Sequence, residues 1–173
     1  MIPEIPQKMT QKEALELFRS LKPVKPDELW GTWVGEEIKT DHPMDGLLTA
    51  VGWQGKTFVD MENVHPLLYK LRKNGKVRYA DVGKLPIGFF MNFPRWLIKT
   101  IFFFVAPFVT TKKSSTRIRE ILCEGEVSAT MVYDKIPMLE HFRRFDDNTL
   151  LGLADLKSVP DKKFYFTLKN RRA

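Results

Sequence analysis

Asp134 and His141 lie in one run, TMVYDKIPMLEHFRRFD, together with Tyr133, Arg143 and Arg144. A carboxylate beside an imidazole is the one pairing in the chain with the makings of proton-transfer chemistry, provided the fold brings the two into reach. On an extended chain residues two apart share a face, so His141 and Arg143 point one way and Arg144 the other. An arginine aimed into an enclosed space would hold an anionic head group through paired N–H bonds. Arg117, Arg143 and Arg144 are the candidates for that role. The same residues equally suit cross-strand salt bridges on an outer face, and Asp134 beside a turn suits local hydrogen bonding. Trp33 and Trp53, each flanked by glycines, offer either ring walls against which a ligand stacks or plain packing at a barrel end.

Other chemistries find little footing. No glycine-rich phosphate loop, nucleophile elbow or zinc-ligand spacing occurs. His42, His65 and His141 are scattered, and a haem barrel needs one well-placed axial imidazole, for which His65 or His141 would have to serve. No metal and no cofactor is therefore expected. Cys123 stands alone, so no intrachain disulfide forms and nothing points to an oxidising compartment. It reads as a small strand hydrophobe.

The elements that must hold these residues are mostly strands. Residues 10–21, TQKEALELFRSL, predict a helix opened by a Thr10/Glu13 capping box and stopped by Pro23. Residues 29–39 predict a strand through Trp33. A turn at DHPMDG, 41–46, leads to strand-like runs from Leu47 to Asp60, whose glycines signal bulges or close backbone approach. Residues 62–73 predict a short helix entered at Pro66, Asn74-Gly75 a hairpin turn, and 76–82 a strand. From Thr116 onward five strand-sized runs follow, separated by Glu124-Gly125, Lys135 with Pro137, Asp146 to Asn148 and Ser158 to Asp161. About eight antiparallel strands suffice to close a small barrel, whose interior is filled by side chains or holds one small ligand.

Residues 87–109, IGFFMNFPRWLIKTIFFFVAPFV, differ from the rest. Pro94, Arg95, Lys99 and Pro107 interrupt the apolar run, against a single spanning helix of about 20 apolar residues. A buried helix from about Pro94, or a portal segment that touches lipid, fits better. Phe89, Phe90, Phe93 and Trp96 supply the apolar contacts and Arg95, Lys99, Lys112 and Lys113 the cations, a combination suited to anionic bilayer surfaces. Charge agrees: residues 87–173 hold 15 basic against 9 acidic side chains, whereas residues 1–86 hold 13 against 12. The overall +7 would attract anions. No basic run exceeds two residues and no nucleic-acid motif appears, so nucleic acid is not an expected partner. The N-terminus MIPEIPQKMT has no apolar signal region, which makes the cytoplasm the expected location.

GTWVG at 31–35, HPMDG at 42–46, GWQGKTF at 52–58, VHPLL at 64–68, the run 125–157 and FYFTL at 164–168 together resemble the family named for its GXWXG motif, with its paired C-terminal domain of unknown function. The resemblance spans nearly the whole chain and implies no settled catalytic set. The G-x-W element also resembles, more weakly, lipocalin- or calycin-like barrels. The expectation is a mainly β protein: one antiparallel up-and-down barrel domain over 1–173, with a flexible stretch at 1–9, a first half at 10–85, a helical apolar insert at 86–110 and a β-meander at 116–170. Its expected function is non-enzymatic binding of a hydrophobic or amphipathic small molecule, lipid- or fatty-acid-like. Peripheral binding to anionic lipid head groups and an enzyme acting on a small apolar substrate are the alternatives. Oligomeric state is open.

Overall fold

The computed structural model describes residues 4–72 and 74–171. Eight strands form a closed antiparallel ring: β1 (Gly31–Ile38), β2 (Trp53–Phe58), β3 (Val64–Tyr69), β4 (Thr116–Cys123), β5 (Glu126–Tyr133), β6 (Met138–Arg144), β7 (Thr149–Leu156) and β8 (Phe164–Asn170). Each pairs with the next in sequence, and β8 returns to β1 through Tyr165↔Ile38 and Leu168↔Gly35. Closure leaves no free edge in the ring. The expected up-and-down barrel is therefore the fold.

The strands alternate faces. Phe142, Leu150, Phe164, Phe166 and Leu168 belong to the inner core, while Leu151, Leu153 and Tyr165 face outward. Helix α1 (Gln11–Ser20) covers that outward patch with Ala14 and Phe18. Its N-terminus carries the expected capping box, Glu13 accepting from the Thr10 backbone at 2.7 Å. After α1 the chain runs along β6, pairing Lys22 with Arg144 and Pro23 with Arg143. Val24 then bonds to β5 and Ser128, so residues 22–24 close a gap between β5 and β6. The turn Pro26–Leu29 plugs the base, and the Trp33 indole N–H donates to the Leu29 carbonyl at 2.7 Å.

The opposite end is capped by the insertion between β3 and β4. It contains the short paired strands Arg78–Ala80 and Thr110–Thr111, helix α3 (Ile87–Phe90) and helix α4 (Arg95–Val109), which begins directly after Pro94 as expected. α4 turns Ile98, Phe102, Ala106 and Val109 toward the barrel. Tyr69, at the mouth end of β3, meets the Phe102 ring edge-on and bonds to Thr110 at 2.6 Å.

Two expectations are corrected. Residues 64–69 form strand β3 and not a helix. Pro66 is tolerated because it sits at a register shift where β2 and β3 lose their one-to-one pairing, so its missing N–H breaks no ladder bond. Leu47–Ala50 forms a helical turn, α2, before β2. Two backbone N–H groups in that turn, of Gly46 and Thr49, donate to the Glu37 carboxylate at 2.5 and 2.6 Å, and this bonding favours a turn over a strand. Within the 1–9 stretch, residues 7–9 run beside Lys39, with Lys39 N–H to Gln7 O at 2.9 Å and Met9 N–H to Lys39 O at 3.1 Å. Residues 1–3 of that stretch lie outside the described residues.

Candidate functional site

The two tryptophans of the glycine-rich strands stand on neighbouring strands, β1 and β2, as expected for wall strands. Their glycines do different jobs. The Trp53 ring lies where a Cβ on Gly35 would be, 2.1 Å from it, so Gly35 makes room for Trp53 inside the barrel. Gly152 does the same for the Phe166 ring, at 2.3 Å. Gly55 has φ +130 and lets β2 approach the Trp33 carbonyl, where a Cβ would sit 1.8 Å away. These rings fill the lumen between the strands they touch. Trp33 is a base plug; Trp53 is a lumen wall.

Gly55 also bulges β2, with register shifts on either side of its pairing to β3. Trp53, Lys56 and Phe58 are all buried in consequence. Lys56 is 2 % exposed. Its ammonium lies 2.8 Å from Glu140 Oε2 and donates to the Pro66 carbonyl at 3.2 Å, an acceptor on β3 at the same irregularity. Lys56 is on β2 and Glu140 on β6, four strands apart either way round the ring, so the pair bridges the lumen. Tyr133 completes the set by donating to Glu140 Oε1 at 2.8 Å. The Trp53 and Phe166 rings face the ammonium at 5.4 and 5.0 Å. Burial depresses the Lys56 pKa, partly offset by the carboxylate opposite. Burial, and next the Glu140 charge, pushes the Tyr133 hydroxyl well above its usual range, so it stays a donor at neutral pH. Two polar atoms here lack a directed hydrogen bond: the Trp53 indole N–H and Glu140 Oε2, whose contact with Lys56 is an ion contact of poor hydrogen-bond angle. Truncating one member of such a buried pair costs ~3–5 kcal/mol, since it strands the other charge.

At the mouth, α2 with the link of Val51 and Gly52, Lys70 and Leu71 just after β3, and α4 line a cavity of about 440 Å³. Leu71, Phe103, Phe104, Val51 and Ala50 give it apolar walls; Lys70 and Lys99 stand on its rim. Outward from it the insertion presents Phe89, Trp96, Phe104 and Phe108, exposed by 58, 70, 68 and 76 %. Phe90 is buried and Phe93 packs against the core. Lys112 and Lys113 line a separate basic cavity with Lys84 and Lys135. Arg95 serves as a staple: its guanidinium donates to Asp45 O at 2.8 Å and to Pro43 O at 2.5 Å, tying the HPMDG turn to the start of α4.

The other sequence-derived candidates are dispersed. Asp134 takes the Arg117 guanidinium at 2.9 Å near the surface, whereas His141 bonds Thr130 at 2.8 Å beneath α1. The two do not meet. Burial pushes His141 down to about 4. Arg143 lies outside the barrel wall under α1, its guanidinium 5.1 Å over the Phe18 ring and donating to Cys123 O at 2.8 Å. Arg144 pairs with Glu28 at the base at 2.9 Å. None of these arginines lines the mouth cavity. Of the candidates, Trp53 and Tyr133 alone belong to the lumen set. Lys56 and Glu140 were missed; the only sequence signal was the bulge-marking Gly55 beside Lys56.

The described residues contain no helix long and apolar enough to cross a membrane and no cluster of metal-ligating side chains. Residues 16–73 match the GXWXG protein family, and residues 114–170 match a domain of unknown function, DUF4334. A protein from Thermomonospora curvata, known from its crystal structure, is similar, with 29% identity and a TM-score of 0.72 over 96% of this chain and 91% of that one. No curated protein matches.

Proposed function

This chain belongs to the GXWXG family with its paired domain of unknown function, and from that premise we propose that it binds a hydrophobic or amphipathic small molecule, without catalysis, at the mouth of its barrel. The mouth cavity of about 440 Å³ carries the reading. Its size suits small-molecule sites, which run to ~300–1,000 Å³. Its apolar wall of Leu71, Phe103 and Phe104 would take the hydrocarbon part. The lumen beyond is packed by Trp53 and Phe166, so the molecule rests first on this outer shelf. Phe104→Ser should weaken binding of a medium-chain amphiphile about tenfold in titration calorimetry while leaving the melting temperature unchanged, because Phe104 is largely exposed. Unaltered affinity in Phe104→Ser and Leu71→Ser would overturn the reading.

A second reading is favoured by the exposed aromatics of the insertion. Phe89, Trp96 and Phe108 beside Lys84, Lys99, Lys112 and Lys113 suit docking to an anionic bilayer, where each cation near the surface contributes ~1 kcal/mol. Co-sedimentation with phosphatidylserine vesicles should exceed that with neutral vesicles, fall as salt rises and drop in Trp96→Ser. Binding indifferent to lipid charge would count against it.

A further inference from the structure

The lumen set deepens the ligand-binding reading and rests on it. Lys56 and Glu140 neutralise each other across the barrel, whichever of them holds the proton. A second carboxylate brought there would leave a net buried negative charge, which an apolar lumen disfavours strongly. A neutral oxygen would not. The donors at this point are also in surplus. The Trp53 N–H is buried and unpartnered, and the Lys56 ammonium, with three hydrogens, makes one directed hydrogen bond, to Pro66, beside its ion contact with Glu140. An uncharged acceptor between Trp53 and Lys56 would satisfy both groups and leave the ion pair intact. From the Trp53, Lys56, Glu140 and Tyr133 geometry we infer that the bound amphiphile is an uncharged carbonyl compound, a ketone, aldehyde or ester, whose oxygen accepts from Trp53 and Lys56 in the lumen while its chain lies on the mouth shelf.

The path is short in sequence: Val51 and Gly52 of the mouth cavity directly precede Trp53. Reaching the donors requires the Trp53 or Phe166 ring to move. Both rings stand over glycines, Gly35 and Gly152.

The test compares methyl nonyl ketone, undecanoate and undecane on the intact protein by calorimetry. The ketone should bind at least tenfold more tightly than undecanoate or undecane. Its carbonyl stretch should shift to lower frequency on binding, as it does on accepting hydrogen bonds. Trp53→Phe keeps a ring in place, and should lose most of that shift and of the ketone's advantage. Lys56→Met with Glu140→Gln should abolish both. Equal affinity for all three probes would overturn the lumen assignment and leave the mouth site standing; no binding of any probe would overturn both. Tighter binding of undecanoate, or an unshifted carbonyl band in the wild type, would also overturn the assignment, and because these are wild-type measurements they hold even if a variant misfolds.

Discussion

Gly35 and Trp53 divide one volume between them, and this explains half of the motif that names the family. The first glycine, Gly31, has φ +124, a backbone conformation side chains resist. The tryptophan, Trp33, closes the base through Leu29, and the second glycine, Gly35, admits a ring from the next strand. Gly35→Ala should therefore destabilise the protein by about 1–3 kcal/mol through overpacking, and Trp53→Leu should recover part of the loss, as read by denaturant unfolding. Additive losses would contradict the shared-volume account. That pairing of large with small was legible in the sequence. Lys56 was not, because a bulge at Gly55 breaks the period-two rule by which faces are assigned. Glu140, on a regular strand, gave no sign of its partner across the lumen. Two histidines add a pH dependence. Burial lowers both His42 and His141 to about 4 from an ordinary 6.5. Between those values the unfolded chain binds protons that the folded one refuses, so stability is full above pH 6.5 and falls as pH drops toward 4, by at most about 3 kcal/mol for each histidine. The melting temperature should fall over that window, and His141→Asn, which can keep a bond to Thr130, should flatten the slope. An unchanged slope would mean that His141 does not carry the effect.

At the scale of elements, the legible parts were those with local signals. The α1 capping box, the proline before α4 and the polar separators of the β4–β8 meander each mark a boundary by their own chemistry. The misread parts depend on distant partners. VHPLLY is a strand because β2 lies beside it with an irregularity that excuses Pro66; its apolar run and proline otherwise fit a helix start. LLTA coils because Glu37, on β1, bonds its first turn. The site divides the same way. The apolar insert announced itself by composition, whereas the cavity it forms with α2 exists only after two segments some fifty residues apart in sequence meet. Arg95 was read as a lipid-facing cation by its neighbours in sequence, yet its hydrogen bonds to Asp45 and Pro43 spend it on holding those segments together.

For the whole molecule, the ring is closed unevenly. β4 with β5, β6 with β7, β7 with β8 and β8 with β1 pair along most of their length, β5 meets β6 at three register pairs with residues 22–24 beside the gap, and β2 pairs with both its neighbours. β3 meets β4 at one register pair, Val64↔Thr116, supported by Ile118 N–H to Met61 O at 2.7 Å. Toward the mouth β3 turns instead to the insertion strand Arg78–Ala80. The seam where the barrel is thinnest is thus the place where the capping helices are attached. Local opening costs least where few backbone bonds and little buried apolar surface must be given up. Amides of Arg78–Ala80 and Thr110–Thr111 should exchange with deuterium at least a hundredfold faster than those of β6 and β7, and a bound amphiphile should slow them selectively. Such a pattern makes the seam the route by which the cap lifts and the Trp53 ring is reached. Protection of the insertion strands equal to that of β6 and β7, with or without ligand, would mean that the cap opens only when the whole barrel unfolds.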